Sequence, residues 1–153
     1  MRRKIKSYKF PFVSISMFRE KMVDFKIDCP KNMVRLLTEF YKGKDRESVV
    51  VVMLDGNNNP IGIQEVSIGT VTCSLIHPRE IFKPAILMGA SAIIVAHNHP
   101  SGSLTPSSED KQSMSRIKKA GELIGISLID DMIYSPTGYY SSREHGVLNG
   151  SDI

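Results

Sequence analysis

Residues 91–110 read SAIIVAHNHPSGSLTPSSED, and this stretch decides the fold. Ser91 to Ala96 is a short, continuously apolar run, the pattern of a strand buried on both faces. His97 to Pro106, rich in Pro, Ser and Gly, predicts a loop. A helix then runs from Ser107 to Ile124. It carries Met114, Ile117, Ala120, Leu123 and Ile124 on one face and Lys and Glu on the other, and Gly125 ends it. A buried strand, a loop and an amphipathic helix in succession point to an α/β domain.

Working outward, Pro78 sits at the first turn of a helix running to about Gly89. Pro84 inside it removes one donor from the ladder and predicts a kink. Upstream, Ser48 to Leu54 is rich in β-formers, Asp55-Gly56-Asn57-Asn58-Asn59-Pro60 is a dense turn signal, and Ile61 to Ile68 alternates as a hairpin partner. Thr70 to Ile76 reads as a third strand. Pro30 to Tyr41 is helical, with Val34, Leu37 and Phe40–Tyr41 at helical spacing and Asp28 or Cys29 near the cap. Ile126 to Tyr134 and Tyr139 to Ser142 read as closing strands around the turn Ser135-Pro136-Thr137-Gly138. The expectation is a mixed β-sheet flanked by helices, in one domain over residues 30–150 preceded by a basic arm over residues 1–29.

The chain has 153 residues, a length that suits one domain with a real core. Its formal charge is +4, which invites a nucleic-acid reading. Yet Arg2, Arg3, Lys4, Lys6 and Lys9 carry that excess; without them 15 basic residues face 16 acidic ones. Such an arm can bind phosphate or an acidic partner, but a solvated terminus is the plainer reading. No apolar run approaches a membrane span and residues 1–21 have no signal-peptide core, so a cytoplasmic protein without a membrane partner is expected. Cys29 and Cys73 form no CxxC pair and are expected as buried, reduced structural thiols.

The chemistry gathers at His97, His99, Ser107 and Asp110. Two His at i and i+2 at a strand end project from one face and address one point beyond it. The following loop is long enough to bring the next helix's first turn over that point, where Asp110 adds a carboxylate. Two imidazole nitrogens and one carboxylate oxygen make a catalytic zinc set, three protein ligands with a fourth position open. Ser107-x-x-Asp110 is also a plain helix-capping pattern. The two roles are compatible, because a capping hydrogen bond fixes the ligand's orientation.

The spacing His97-x-His99, seven residues, Ser107-x-x-Asp110 resembles the JAMM motif of the JAB/MPN metallopeptidases. His97-Asn98-His99-Pro100-Ser101-Gly102, preceded by His77-Pro78-Arg79-Glu80, is more closely similar to the RadC family. The similarity runs from about residue 30 to Gly146. It implies a cytidine-deaminase-like α/β fold, zinc held by His97, His99 and Asp110, and Ser107 supporting the reacting oxygen. The JAMM pattern also requires an upstream Glu as general base. Glu47 and Glu65 both stand on suitable strands; the family's placement of its Glu at the first core strand selects Glu47. The implied activity is hydrolysis of a peptide or isopeptide bond.

Three departures from the RadC pattern stand out. The chain starts too near the domain to hold the family's usual helix-hairpin-helix region, Asp131 stands where His is usual after Asp130, and Pro84 interrupts a helix. Two rival readings follow from other features. An HNH-type nuclease is suggested by the literal string His97-Asn98-His99, but those residues are spread over a ββα unit in such enzymes. A non-catalytic or DNA-associated module, linked to DNA repair and recombination, would use the fold as a scaffold and the arm for nucleic acid. His77, Arg79 and Glu80 read as a strand-to-helix corner with a local ion pair, and His145 as a surface residue.

Overall fold

A computed structural model describes residues 26–68 and 76–149. Three helices and five strands follow in the order α1 (Pro30–Tyr41), β1 (Ser48–Leu54), β2 (Pro60–Ile68), α2 (Pro78–Leu87), β3 (Ala92–Asn98), α3 (Ser108–Ile124), β4 (Ser127–Ser135) and β5 (Gly138–Ser141). A 3-10 turn, Val147–Asn149, follows β5. The sheet order is β2-β1-β3-β4-β5. Among the described strands only β3 and β4 run parallel, joined through α3; the other neighbours are antiparallel. A mixed sheet with helices on both faces is thus the architecture.

Alternation along the strands builds two cores. Val49, Val51, Met53, Ile93 and Val95 pack with Ile81, Phe82 and Ala85 of α2 and Met114 and Ile117 of α3. Val50, Val52, Leu54, Ile94 and Ala96 pack on the other face with Met33, Leu37 and Tyr41 of α1. β1 and β3 are buried along their whole length, which is why both sequences are almost unbroken apolar runs. Ile27 joins the α1 core and donates its N–H to the Asn58 carbonyl at 3.0 Å. Asn58 holds a left-handed φ of 62° in the β1–β2 turn, where Asn is among the tolerated residues.

Several expectations are corrected. β3 continues through His97 and Asn98, which the sequence places in the loop, because strand pairing with Val49 and Ile133 carries past the apolar run. The buried stripe of α1 is Met33, Leu37 and Tyr41, one position before the expected Val34 at its start. In α3, Leu123 is 89% exposed and Ile124 43%. The last turn instead packs through Gly121, where an added Cβ would lie 3.1 Å from Phe82 Cζ and collide with the Ile126 carbonyl. The helix expected around Pro84 is present as α2, from Pro78 to Leu87 with Pro84 inside it. Cys29 is exposed at the N-cap of α1 and makes no side-chain capping bond there, so it is not the buried thiol expected. The basic residues of the arm, Cys73 and residues 70–75 of the expected third strand lie outside the described residues. Among the described residues no helix is long and apolar enough to cross a membrane.

Candidate metal centre

His97 is the penultimate residue of β3 and shares the parity of Ile93 and Val95, so it faces the α2/α3 layer. His99 follows two residues later, and its N–H is tied to the Tyr134 carbonyl at 2.8 Å. The two rings stand 4.8 Å apart between centroids, inclined at 62°. The loop turns at Gly102, with φ of 88° and its N–H on the His99 carbonyl, a conformation glycine adopts without strain. It then delivers the first turn of α3 over the end of β3.

That turn is a full capping box. Ser107 Oγ accepts the Asp110 N–H at 3.0 Å, and Asp110 Oδ2 accepts the Ser107 N–H at 2.9 Å. The box therefore locks a buried carboxylate, 6% exposed, with Oδ2 3.9 Å from His97 Nε2. His97, His99 and Asp110 each offer one ligand atom, all within 4.8 Å of one another. A tetrahedral zinc with bonds of about 2.0–2.2 Å spaces its ligand atoms by roughly 3.5 Å, so a small side-chain adjustment closes the set.

The donor chemistry fits a cation. Among the described residues neither buried ring nitrogen of His97 has a hydrogen-bond partner, an arrangement costly for an imidazole with no further ligand. Burial drives its pKa down to about 4, against the opposing pull of Asp110, and His99 lowers it further. The ring is therefore neutral near pH 7, the form that binds metal. His99 Nδ1 lies 2.8 Å from the Ser103 carbonyl. As donor in that bond, Nδ1 carries the proton and Nε2 keeps its lone pair for an ion.

The two carboxylate candidates differ in setting. Glu65 pairs with Val50, on the α1 side of the sheet, and its carboxylate is held by Lys44 at 2.6 Å. Lys44 in turn sits 3.8 Å over the Phe40 ring. Glu47 immediately precedes β1 and is exposed. The β1–β3 register pairs Val49 with His97, so its continuation sets Glu47 opposite His99, with the parity of the His97 face. Glu47 is not one of the three clustered ligand residues.

Asp131 is the residue whose setting sequence alone could not show. A register shift in β4 pairs Ile93 with Leu128 but Ile94 with Asp130, bringing Asp131 opposite Val95 on the His97 face. Without that irregularity, parity would place it on the α1 face. Asp131 is buried; Ser142 Oγ donates to Oδ2 at 3.2 Å, while Oδ1 has no partner among the described residues. Burial pushes its pKa up to about 7 against that bond from Ser142, and the charges of Asp130 and Asp110 raise it further. Asp130 is instead bonded by Ser141 Oγ and by the N–H groups of Arg143 and Asp131. Its pKa is raised because burial outweighs those bonds. Arg79 and Glu80 form the expected local ion pair at 3.1 Å, and His145 is exposed and stacks on Tyr140.

Comparison with known proteins agrees with this geometry. A family profile described as RadC-like JAB domain matches residues 27–147. A UPF0758 protein of Rubrobacter xylanophilus is 44% identical over 122 residues, covering 80% of this chain and 53% of that protein. One from Thermotoga maritima is 51% identical over 104 residues, 68% of this chain and 47% of its own length. Another, from Clostridium kluyveri, is 42% identical over 125 residues, 82% of this chain and 55% of its own. The chain spans about half the length of these relatives.

Proposed function

We propose that this chain, which belongs to the RadC-like JAB domain family, is a zinc-dependent hydrolase of peptide or isopeptide bonds. The observation that carries the reading is the convergence of His97, His99 and Asp110, with both nitrogens of a buried His97 lacking hydrogen-bond partners among the described residues. His97, His99 and Asp110 would hold the ion. When bound, zinc polarises a carbonyl and lowers the pKa of water to about 7. Glu47 accepts the proton of the attacking water and delivers it to the leaving amine as general base and then acid. Ser107, at the start of α3, stabilises the oxyanion that develops on the scissile carbonyl. Two features of the chain support these assignments. The capping box fixes the Asp110 carboxylate before any ligand arrives, and Glu65 is engaged by Lys44. A reducing, cytoplasmic setting suits the exposed free thiol of Cys29.

Metal analysis of freshly purified protein tests the reading. Zinc near one per chain is expected, falling to background in a His97→Ala/His99→Ala variant that still folds. Metal-free protein that takes up no added zinc would sink the proposal. A peptide and isopeptide substrate screen then follows with Glu47→Gln as the control, which keeps its zinc and loses turnover.

A further inference from the structure

We propose that Asn98, between the two histidines, is the positioning residue for the Glu47 carboxylate. Its side chain brackets that residue's backbone from the opposite face of the sheet. This rests on the general-base role given to Glu47 above. Strand alternation turns His97 and His99 toward α3 and Asn98 toward α1. There Asn98 is 4% exposed. Its Oδ1 accepts the Ser48 N–H at 2.7 Å, and its Nδ2 donates to the Arg46 carbonyl at 3.0 Å.

The chemistry of this pair is specific. Arg46 and Ser48 present an acceptor and a donor to the one side chain. A primary carboxamide offers a donor and an acceptor along one edge and meets both. A carboxylate lacks the donor, an aliphatic side chain lacks both, and a serine is too short to span them. Glu47 lies between the two bonded groups, so its backbone is fixed although its side chain is exposed. The segment needs such a clamp because the backbone ladder between β1 and β3 stops at Val49 and His97. Tyr41 reinforces the same entry, its hydroxyl lying 3.1 Å from the Ser48 carbonyl and 3.3 Å from that of Ala96. One tripeptide therefore serves both sides of the centre, its outer residues toward the ion and its middle residue toward the base.

The test uses the full chain loaded with cobalt(II), whose visible absorption reports the groups around the ion. Glu47→Gln is expected to shift the pH midpoint of that absorption. Asn98→Leu, at equal cobalt stoichiometry, should shift it in the same direction by at least half as much. The double variant should shift no further than Glu47→Gln alone. Leu37→Ala, which loosens the α1 core but removes neither Asn98 bond, should keep the wild-type midpoint and so separates positioning from general destabilisation. If Asn98→Leu does not fold, Asn98→Ser replaces it, with the same expectation. A folded, cobalt-loaded Asn98 variant with the wild-type midpoint would overturn the inference, as would additivity in the double variant. An unmoved midpoint in Glu47→Gln would remove the base assignment itself, and the positioning role with it.

Discussion

Asp110 carries two jobs that a pair of substitutions can separate. Ser107→Ala removes the hydroxyl that accepts the Asp110 N–H but leaves the carboxylate. Asp110→Ala removes the carboxylate that accepts the Ser107 N–H and also one of the three clustered ligand atoms. In chelator, Ser107→Ala should cost about 1 kcal/mol, the usual value of a lost N-cap. For a chain of this size that lowers Tm by about 2–4 °C. Asp110→Ala should cost no more, because the lost cap is partly offset by removing a buried carboxylate that raises the cost of ionising Asp131.

Zinc separates the two variants. With free zinc at 100 times its Kd, binding to the native state adds about 2.7 kcal/mol. Thermal denaturation of the wild type should therefore rise by roughly 5–11 °C between chelator and zinc. Ser107→Ala should keep most of that increment on its lower baseline, and Asp110→Ala should lose it. A wild-type zinc increment in Asp110→Ala would refute the assignment of its carboxylate to the metal, leaving the motif as a helix cap.

Three further outcomes are expected. Glu65→Gln should keep zinc and turnover and cost at most about 1 kcal/mol, since it loses a partly exposed ion pair with Lys44; loss of hydrolysis would move the base from Glu47 to Glu65. Gly121→Ala should destabilise by about 1–3 kcal/mol in urea unfolding, because its Cβ would collide with the Ile126 carbonyl and press on Phe82, while metal content stays unchanged. In chelated protein, the Asp131 pKa is raised in the folded state from 3.8 to about 7. The native chain then holds a proton that the unfolded chain releases, so the stability this contributes is lost as pH rises through that window. Asp131→Asn should therefore gain on the wild type in denaturant unfolding as pH rises across the same window; parallel pH profiles would contradict the buried setting.

What was legible in the sequence follows from periodicity. The run from Ala92 to Ala96, the β-rich Val49 to Leu54 and the amphipathic stretch after Ser107 give the central elements, because burial on two faces or one leaves a direct trace in residue type. The pair of histidines two apart was legible for the same reason. Tertiary features left no such trace. The end of β3 at Asn98 depends on pairing with β1 and β4, so a polar His-Asn-His string looks like loop. The exposure of Leu123 follows from where Gly121 lets α2 and α3 meet. The face of Asp131 depends on an irregularity at Ile129 that no residue pattern marks. Choosing Glu47 over Glu65 by residue type alone was undecidable, since both are acids at or beside strands; the structure adds that Glu65 is engaged by Lys44 opposite Val50, while Glu47 is exposed just before β1.

The same register bears on the replacement of histidine by Asp131. A carboxyl on the His97 face, buried and only half hydrogen-bonded, adds potential negative charge behind a site that already holds Asp110. Burial is the main reason the pKa of Asp131 is raised, and the charges of Asp130 and Asp110 add to it; a divalent cation beside Asp110 relieves that charge contribution. Metal-free protein should therefore favour protonation of Asp131, and metal uptake should release that proton. Zinc binding measured calorimetrically near pH 6 in buffers of different ionisation enthalpy should show greater proton release for the wild type than for Asp131→Asn. Equal release would mean that Asp131 does not sense the ion, and that its place in the fold is set by packing against Ser142 alone.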